Sequence, residues 1–164
     1  MSMDRIEKKV LLRAPLERVW RAISDSQRFG SWFGMAVDGP FVEGARVPAK
    51  IVPTQVDAEV AAMQKPYEGV AFELWIERIE PMRRFSFRWH PGVPEPGVEL
   101  RDEQMTRVVF ELERKADGVL LTITESGFER IPLERRAEAF AGNEGGWEMQ
   151  TVLIGKYLAL EGGG

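Results

Sequence analysis

The sequence predicts an α+β domain, a curved antiparallel β-sheet wrapped around a long C-terminal α-helix with two short helices after the first strand. Three observations carry this. Residues 46–126 fall largely into five or so runs that alternate apolar with polar, as half-buried strands do. The stretch APLERVWRAIS (14–24) instead spaces Leu16, Val19, Trp20 and Ile23 at i, i+3, i+4 and i+7, the signature of a helix with one buried face. The chain then closes on a second helical pattern, without the strand–helix–strand alternation of a parallel sheet. At 164 residues the simplest organisation is one domain, 1–164, with its core from about 4 to 160.

Residues 5–13, RIEKKVLLR, read as the first strand, with Ile6, Val10 and Leu12 on one parity. In the helix that follows, Pro15 suits the first turn, where its missing N–H costs nothing. Asp25 is expected to cap a second short helix and Gly30 to end it, so that Trp32 and Phe33 come after it as an aromatic pair. RVPAKIV (46–52) reads as a strand that Pro48 can interrupt. In TQVDAEVAAMQ (54–64), Thr54 and Asp57 have capping-box-like spacing, which leaves a short helix and a mobile loop both open.

VAFELWIERIE (70–80) is a strand with Phe72, Leu74 and Ile76 on one parity and Glu73, Trp75 and Glu77 on the other. RRFSFRWH (83–90) alternates more cleanly, Phe85, Phe87 and Trp89 against Arg84, Ser86 and Arg88. HPGVPEPGVELRDEQ (90–104) is a loop by its prolines and glycines. MTRVVFELER (105–114) puts Val108, Phe110 and Leu112 on one side, and Asp117-Gly118 marks a hairpin into VLLTITESGF (119–128). There Leu121 and Ile123 point inward, Thr122 and Thr124 outward, and Gly127 ends the strand.

IPLERRAEAF (131–140) opens a helical region with Pro132 near its first turn. Gly142, Gly145 and Gly146 are expected to interrupt it, because a glycine costs a helix interior about 1 kcal/mol relative to alanine. Asn143 would cap a fresh helix from about Gly145 to Leu160, about 24 Å long. Trp147, Thr151, Ile154 and Leu158 share one face of it. A curved sheet around such a helix predicts a cavity between the two.

Composition narrows the function. The net charge of −4, with a pI near 5.2, speaks against a binder of phosphate backbones, so no nucleic-acid partner is expected. No apolar stretch approaches the roughly 18 residues of a membrane span, and MSMDRIEKKV is charged where a signal peptide needs an apolar run. The expectation is a soluble, cytoplasmic protein without membrane insertion. The absence of cysteine excludes disulfides, thiol catalysis and Cys-ligated zinc. With one histidine, His-rich metal sites and Cys–His catalysis cannot be built, and neither metal nor cofactor is expected. Phosphate-binding glycine loops, H-E-x-x-H and G-x-S-x-G are likewise missing.

Taken in order, APLERVWRAIS, FGSWFG, IERIEPMRRFSFRWHP, TRVVFELE, LTITESGF and NEGGW resemble the SRPBCC (START/Bet v 1-like) superfamily. The branch they resemble most is the AHSA1-like one, named for the C-terminal domain of the activator of Hsp90 ATPase. The resemblance runs from about Asp4 to Leu160. It implies the helix-grip fold, in which the sheet grips the C-terminal helix around a hydrophobic tunnel or cleft. The fold hosts ligand carriers, enzymes and interaction modules, so it does not choose among them. The eukaryotic activator has a further N-terminal domain and linker, absent from this sequence, which lowers the rank of a co-chaperone role.

The aromatic residues are the candidate ligand-binding set. Trp32, Phe33, Trp75, Phe87, Trp89, Phe110, Phe128 and Trp147 would line the cavity, with Thr151 and Ile154 from the last helix. Gly145 and Gly146 would shape one wall beside Trp147, with Trp32 and Phe33 as the facing lip. Glu125 shares the inward parity of Leu121 and Ile123, and a buried carboxylate needs a partner. Arg78, on the parity of Leu74 and Ile76, is the candidate, and the two are the best available catalytic pair. A strand-end carboxylate capped by backbone N–H groups or turned to solvent is the plainer alternative. His90 reads as a rim residue, and the arginines at 83, 84, 88, 130, 135 and 136 as solvated faces.

Binding of a small hydrophobic or aromatic molecule therefore ranks first. A cyclase-, aromatase- or hydrolase-like enzyme using the same cavity is second, and a co-chaperone or other protein-interaction domain third. A protein partner and a homodimer are both left open.

Overall fold

The computed structural model describes residues 5–92 and 100–160. The order is β1 (Arg5–Leu12), α1 (Leu16–Ser24), α2 (Ser26–Phe33), β2 (Met35–Val37), β3 (Arg46–Ile51), α3 (Ala58–Gln64), β4 (Ala71–Glu80), β5 (Arg84–Trp89), β6 (Thr106–Lys115), β7 (Gly118–Ser126) and α4 (Leu133–Leu160). The strands form one antiparallel sheet in the order β1-β7-β6-β5-β4-β3-β2, curved around the long C-terminal helix. This is the helix-grip α+β arrangement. Among the described residues no helix is long and apolar enough to cross a membrane. Residues 93–99 of the expected 90–104 loop lie outside the described residues, and Asp102–Gln104 forms a 3-10 turn.

Local chemistry explains most boundaries. Asp25 caps α2 as its sequence suggests, its Oδ1 accepting from the N–H groups of Gln27 at 3.0 Å and Arg28 at 3.1 Å. Gly30, however, does not end the helix. A Cβ there would lie 2.2 Å from the Met35 carbonyl oxygen, so the glycine serves a close approach between α2 and β2. The helix runs on to Gly34, whose φ of +101° is the left-handed cap. Trp32 and Phe33 are thus its last turn rather than a pair beyond it.

Pro48 does not break β3. It sits one position past the last β2 pair, where its carbonyl accepts from Asp38 N–H at 2.9 Å. Of the two options left for 54–64 the helix forms, capped by Asp57, whose Oδ1 accepts from Val60 N–H at 3.0 Å. Thr54 plays another part: its hydroxyl donates to the Trp32 carbonyl at 2.9 Å.

The largest departure is α4. It is one continuous helix of 28 residues, about 42 Å long, with Gly142, Gly145 and Gly146 inside it. Asn143 caps nothing; its side chain reaches Glu125. A Cβ added at any of the three glycines would meet nothing within 4 Å. They answer to neither close packing nor a left-handed backbone. Tertiary anchors carry the helix across them: Phe140 packs on Phe128 at 5.1 Å before the glycines, and Trp147 is buried after them.

The space between sheet and helices is filled. Phe29 meets Phe41, Phe85, Phe87 and Phe110 at centroid distances from 5.6 to 6.5 Å, and Phe110 meets Trp147 at 5.8 Å. Such edge-to-face clusters add to the burial of the rings themselves. A cleft opens at one end of this layer.

A cleft floored by two tryptophans and a caged carboxylate

A cleft of about 310 Å³ opens between the C-terminal end of α2, the α3 segment, the strands β3 to β5 and the middle of α4. Phe33, Phe72 and Trp89 form its aromatic wall, and Met63 and Met149 also line it. Trp89 packs edge-on against Phe33 at 6.1 Å and Phe72 at 6.4 Å, and Trp147 lies beneath both Phe33 and Trp89, at 5.7 and 5.9 Å. None of the described residues lining the cleft is Asp, Glu, Lys or Arg.

The backbone turn at the cleft's inner end is held by two glutamines. The Phe33 carbonyl, freed by the end of α2, accepts from Gln64 Nε2 at 3.2 Å and from Gln150 Nε2 at 3.0 Å. Gln64 Oε1 accepts in turn from Thr54 N–H at 2.7 Å. Lys156 pairs with Asp57 at the other end of α3, and with the Val60 N–H this holds the Asp57 carboxyl below the ordinary carboxylate range. These long-range bonds seat α3 as the outer wall.

Glu125 stands behind the floor. It is wholly buried, with Trp147 Nε1 and Asn143 Nδ2 each donating to Oε1 at 2.7 Å. Trp89 Nε1 donates to Oε2 at 2.9 Å, and the Thr106 hydroxyl donates to the same oxygen. Two indoles and an amide nitrogen can only donate, so the set fits a carboxylate. The cage ties β5, β6, β7 and α4 together and fixes both tryptophans. It also leaves the carboxylate no free oxygen to offer a substrate.

His90 sits on the rim, where burial pushes its imidazole below the ordinary value; nearby Asp102 opposes this shift and Arg46 adds to it. Among the described residues no group of three His, Asp or Glu side chains is placed to hold a metal ion.

The expected site residues divide sharply. Phe33 and Trp89 line the cleft, and Trp147, 2% exposed, lies directly below them. Trp32, Phe87, Phe110, Phe128 and Ile154 are fully buried and do not line it. Trp32 is therefore no lip: its Nε1 donates to the Ala22 carbonyl at 2.8 Å inside the core. Thr151 is half-buried and bonds the Glu148 carbonyl at 2.7 Å. Trp75 lies on the outer face of the sheet, where the guanidinium carbons of Arg46 and Arg88 sit 4.6 and 5.3 Å from its ring. Its strand partners Arg46 and Arg88 force that side.

Arg78 does not reach Glu125. A β-bulge between Ile76 and Arg78 resets the alternation of β4, so Arg78 pairs with Ser86 in register. Its side chain is 63% exposed, 3.8 Å from Glu80. The glycines at 145 and 146 likewise do not line the cleft. The cleft residues outside the expected set include Met63, Gln64, Tyr67, Phe72, Met149 and Gln150. Two of them carried a readable signal: Phe72 has the inward parity of Leu74 and Ile76, and Gln150 shares a helix face with Trp147 and Ile154, a polar residue where apolar ones belong.

Comparison with known proteins agrees with this geometry at the level of fold. DynU16, from the dynemicin biosynthetic locus, superposes with a TM-score of 0.65 at 25% identity, over 98% of this chain and 48% of that one. The chain thus spans about half the length of DynU16. Protein MLL2253 from Mesorhizobium loti gives 0.69 at 20% identity, over 94% and 96% of the two chains. The Aha1 dimer from Colwellia psychrerythraea gives 0.67 at 13% identity, over 97% and 98%. Among curated proteins none matches significantly. The family model described as activator of Hsp90 ATPase homolog 1-like protein matches residues 13–159, nearly the whole chain, and the protein belongs to that AHSA1 family.

Proposed function

We propose that the protein binds a small, uncharged, apolar or aromatic molecule in the cleft between Phe33, Trp89 and the middle of α4. The observation that carries this is the lining itself: a cleft of about 310 Å³ walled largely by aromatic, aliphatic and methionine side chains, with no Asp, Glu, Lys or Arg among its described residues. Sites for small organic ligands have this character and start at about this size. A charged ligand would be stripped of water with nothing to neutralise it. Methionine walls adapt to ligands of different shape.

Catalysis by the carboxylate is the weaker reading. Glu125 is saturated by four donors, and Arg78 is exposed on the outer face. A general acid or base must come within hydrogen-bond reach of the reacting group. The test is native mass spectrometry of the purified protein with solvent extraction, followed by titration with naphthalene as a neutral probe. A saturable site weakened by Phe33→Ala supports the reading. Identical naphthalene binding in the folded Phe33→Ala protein, or no saturable binding, sinks it.

A further inference from the structure

We infer that the ligand of this cleft carries an O–H or N–H donor and that Gln150 Oε1 is the atom that reads it, an inference that rests on the cleft being the binding site. Gln150 is 8% exposed and lines the cleft from α4. Its amide nitrogen is committed to the Phe33 carbonyl, which fixes the oxygen as the other end of the group. That oxygen is buried and has no hydrogen-bond donor among the described residues. A buried acceptor without a donor is destabilising, which is why such atoms are rare and call for an explanation.

The surrounding groups sharpen the assignment. Gln64, the other amide in the cleft, has both ends satisfied, by the Phe33 carbonyl and the Thr54 N–H. His90 is driven toward its neutral form, and the lining holds no ionised side chain. Among the described residues the cleft therefore offers aromatic faces and one buried acceptor without a donor. Met63 and Met149 also line the cleft, and a ligand that reaches the buried oxygen does so by repacking flexible side chains of this kind. The matching ligand is a planar, uncharged ring system bearing a hydroxyl or N–H, such as a phenol. Its ether or unsubstituted counterpart leaves Oε1 unpaired, and a site built to accept a hydrogen bond discriminates on that ground.

The experiment compares 2-naphthol, 2-methoxynaphthalene and naphthalene by calorimetry or tryptophan fluorescence on the wild type and on Gln150→Leu. The wild type should bind 2-naphthol about three- to tenfold tighter than either other probe, the worth of one neutral hydrogen bond. In Gln150→Leu that ratio should fall to about one, because 2-naphthol loses affinity while naphthalene does not. The Phe33 carbonyl keeps its bond from Gln64 in this variant, so the turn is not orphaned. Gln150→Met, with an unbranched chain of similar length, takes its place if the leucine variant does not fold. Equal affinity for all three probes on the wild type overturns the donor inference and leaves the cleft reading standing. A preference that survives in both variants assigns the donor to another acceptor and also overturns it. Failure of all three probes to bind overturns the inference together with the cleft reading.

Discussion

The indole N–H of Trp147 donates to Glu125 Oε1 at 2.7 Å, joining the middle of α4 to the end of β7. Asn143 shares that oxygen, Trp89 and Thr106 hold the other, and among the described residues no cation takes part. A carboxylate removed from water is tolerated when hydrogen bonds replace its hydration, and here four do. The same cage sets the floor of the cleft, because Trp89 lines it and Trp147 lies beneath. Glu125 is thus a positioning residue for the two indoles.

Glu125→Gln turns one acceptor into a donor facing donors. We expect a loss of about 2–3 kcal/mol in unfolding free energy, the cost of breaking charge-assisted bonds and burying an unmatched N–H. Urea midpoints measure it, and the tryptophan emission should change as one of the two indoles loses its acceptor. A variant with the wild-type midpoint and spectrum would rule out the cage as a source of stability.

The α4 glycines carry the opposite sign. Because a Cβ at Gly145 or Gly146 meets nothing within 4 Å, each change to alanine should stabilise the protein by about 0.8–1 kcal/mol. Gly30→Ala, whose Cβ would lie 2.2 Å from the Met35 carbonyl oxygen, should instead cost about 1–3 kcal/mol as helix and strand are forced apart. Destabilisation by Gly145→Ala would mean that α4 is not continuously helical there in solution.

Where the structure follows the sequence, the controlling chemistry is local. Asp25 caps α2 through N–H groups two and three residues away, and the inward set Leu121, Ile123 and Glu125 follows from strand alternation alone. Where it departs, the cause lies far along the chain. The break expected at Gly142 to Gly146 is overridden by Phe140 against Phe128 and by Trp147 against Glu125. The bulge after Ile76 turns Arg78 outward, and a one-residue irregularity reverses every later side chain of a strand. Trp75 shares the parity of Glu73 and Glu77, so its outward position was legible, whereas ring size says nothing about which face a residue takes. The cleft itself was not legible, because its outer wall is α3, seated by Gln64 on the Phe33 carbonyl and by Lys156 on Asp57.

Phe33 and Trp75 separate these two readings of the aromatics. Phe33→Ala removes a wall of the cleft and should weaken 2-naphthol binding about fivefold or more, the worth of one aromatic contact with its buried area. Trp75→Ala, on the opposite face beneath Arg46 and Arg88, should leave that affinity within about twofold. Titrations of both variants, each checked for cooperative unfolding, decide the matter. A large loss in Trp75→Ala would move the binding surface to the outer face of the sheet.

His90 gives the cleft a pH dependence whose sign follows from its burial. The unfolded imidazole takes up a proton near 6.5, whereas burial pushes the folded value lower, only partly offset by Asp102. Between the two values the unfolded chain binds more protons, so stability rises with pH across that window. The contribution is fully present above the unfolded value and is lost as pH falls through the folded one. Ligand binding that further covers the rim deepens the same penalty on the imidazolium, so affinity for a neutral probe should fall over the same range. Urea midpoints and 2-naphthol titrations between about pH 7.5 and 5, on wild type and His90→Asn, read both effects. The variant should lose the portion of each slope due to the imidazole, and identical slopes in the two proteins would remove His90 from the account.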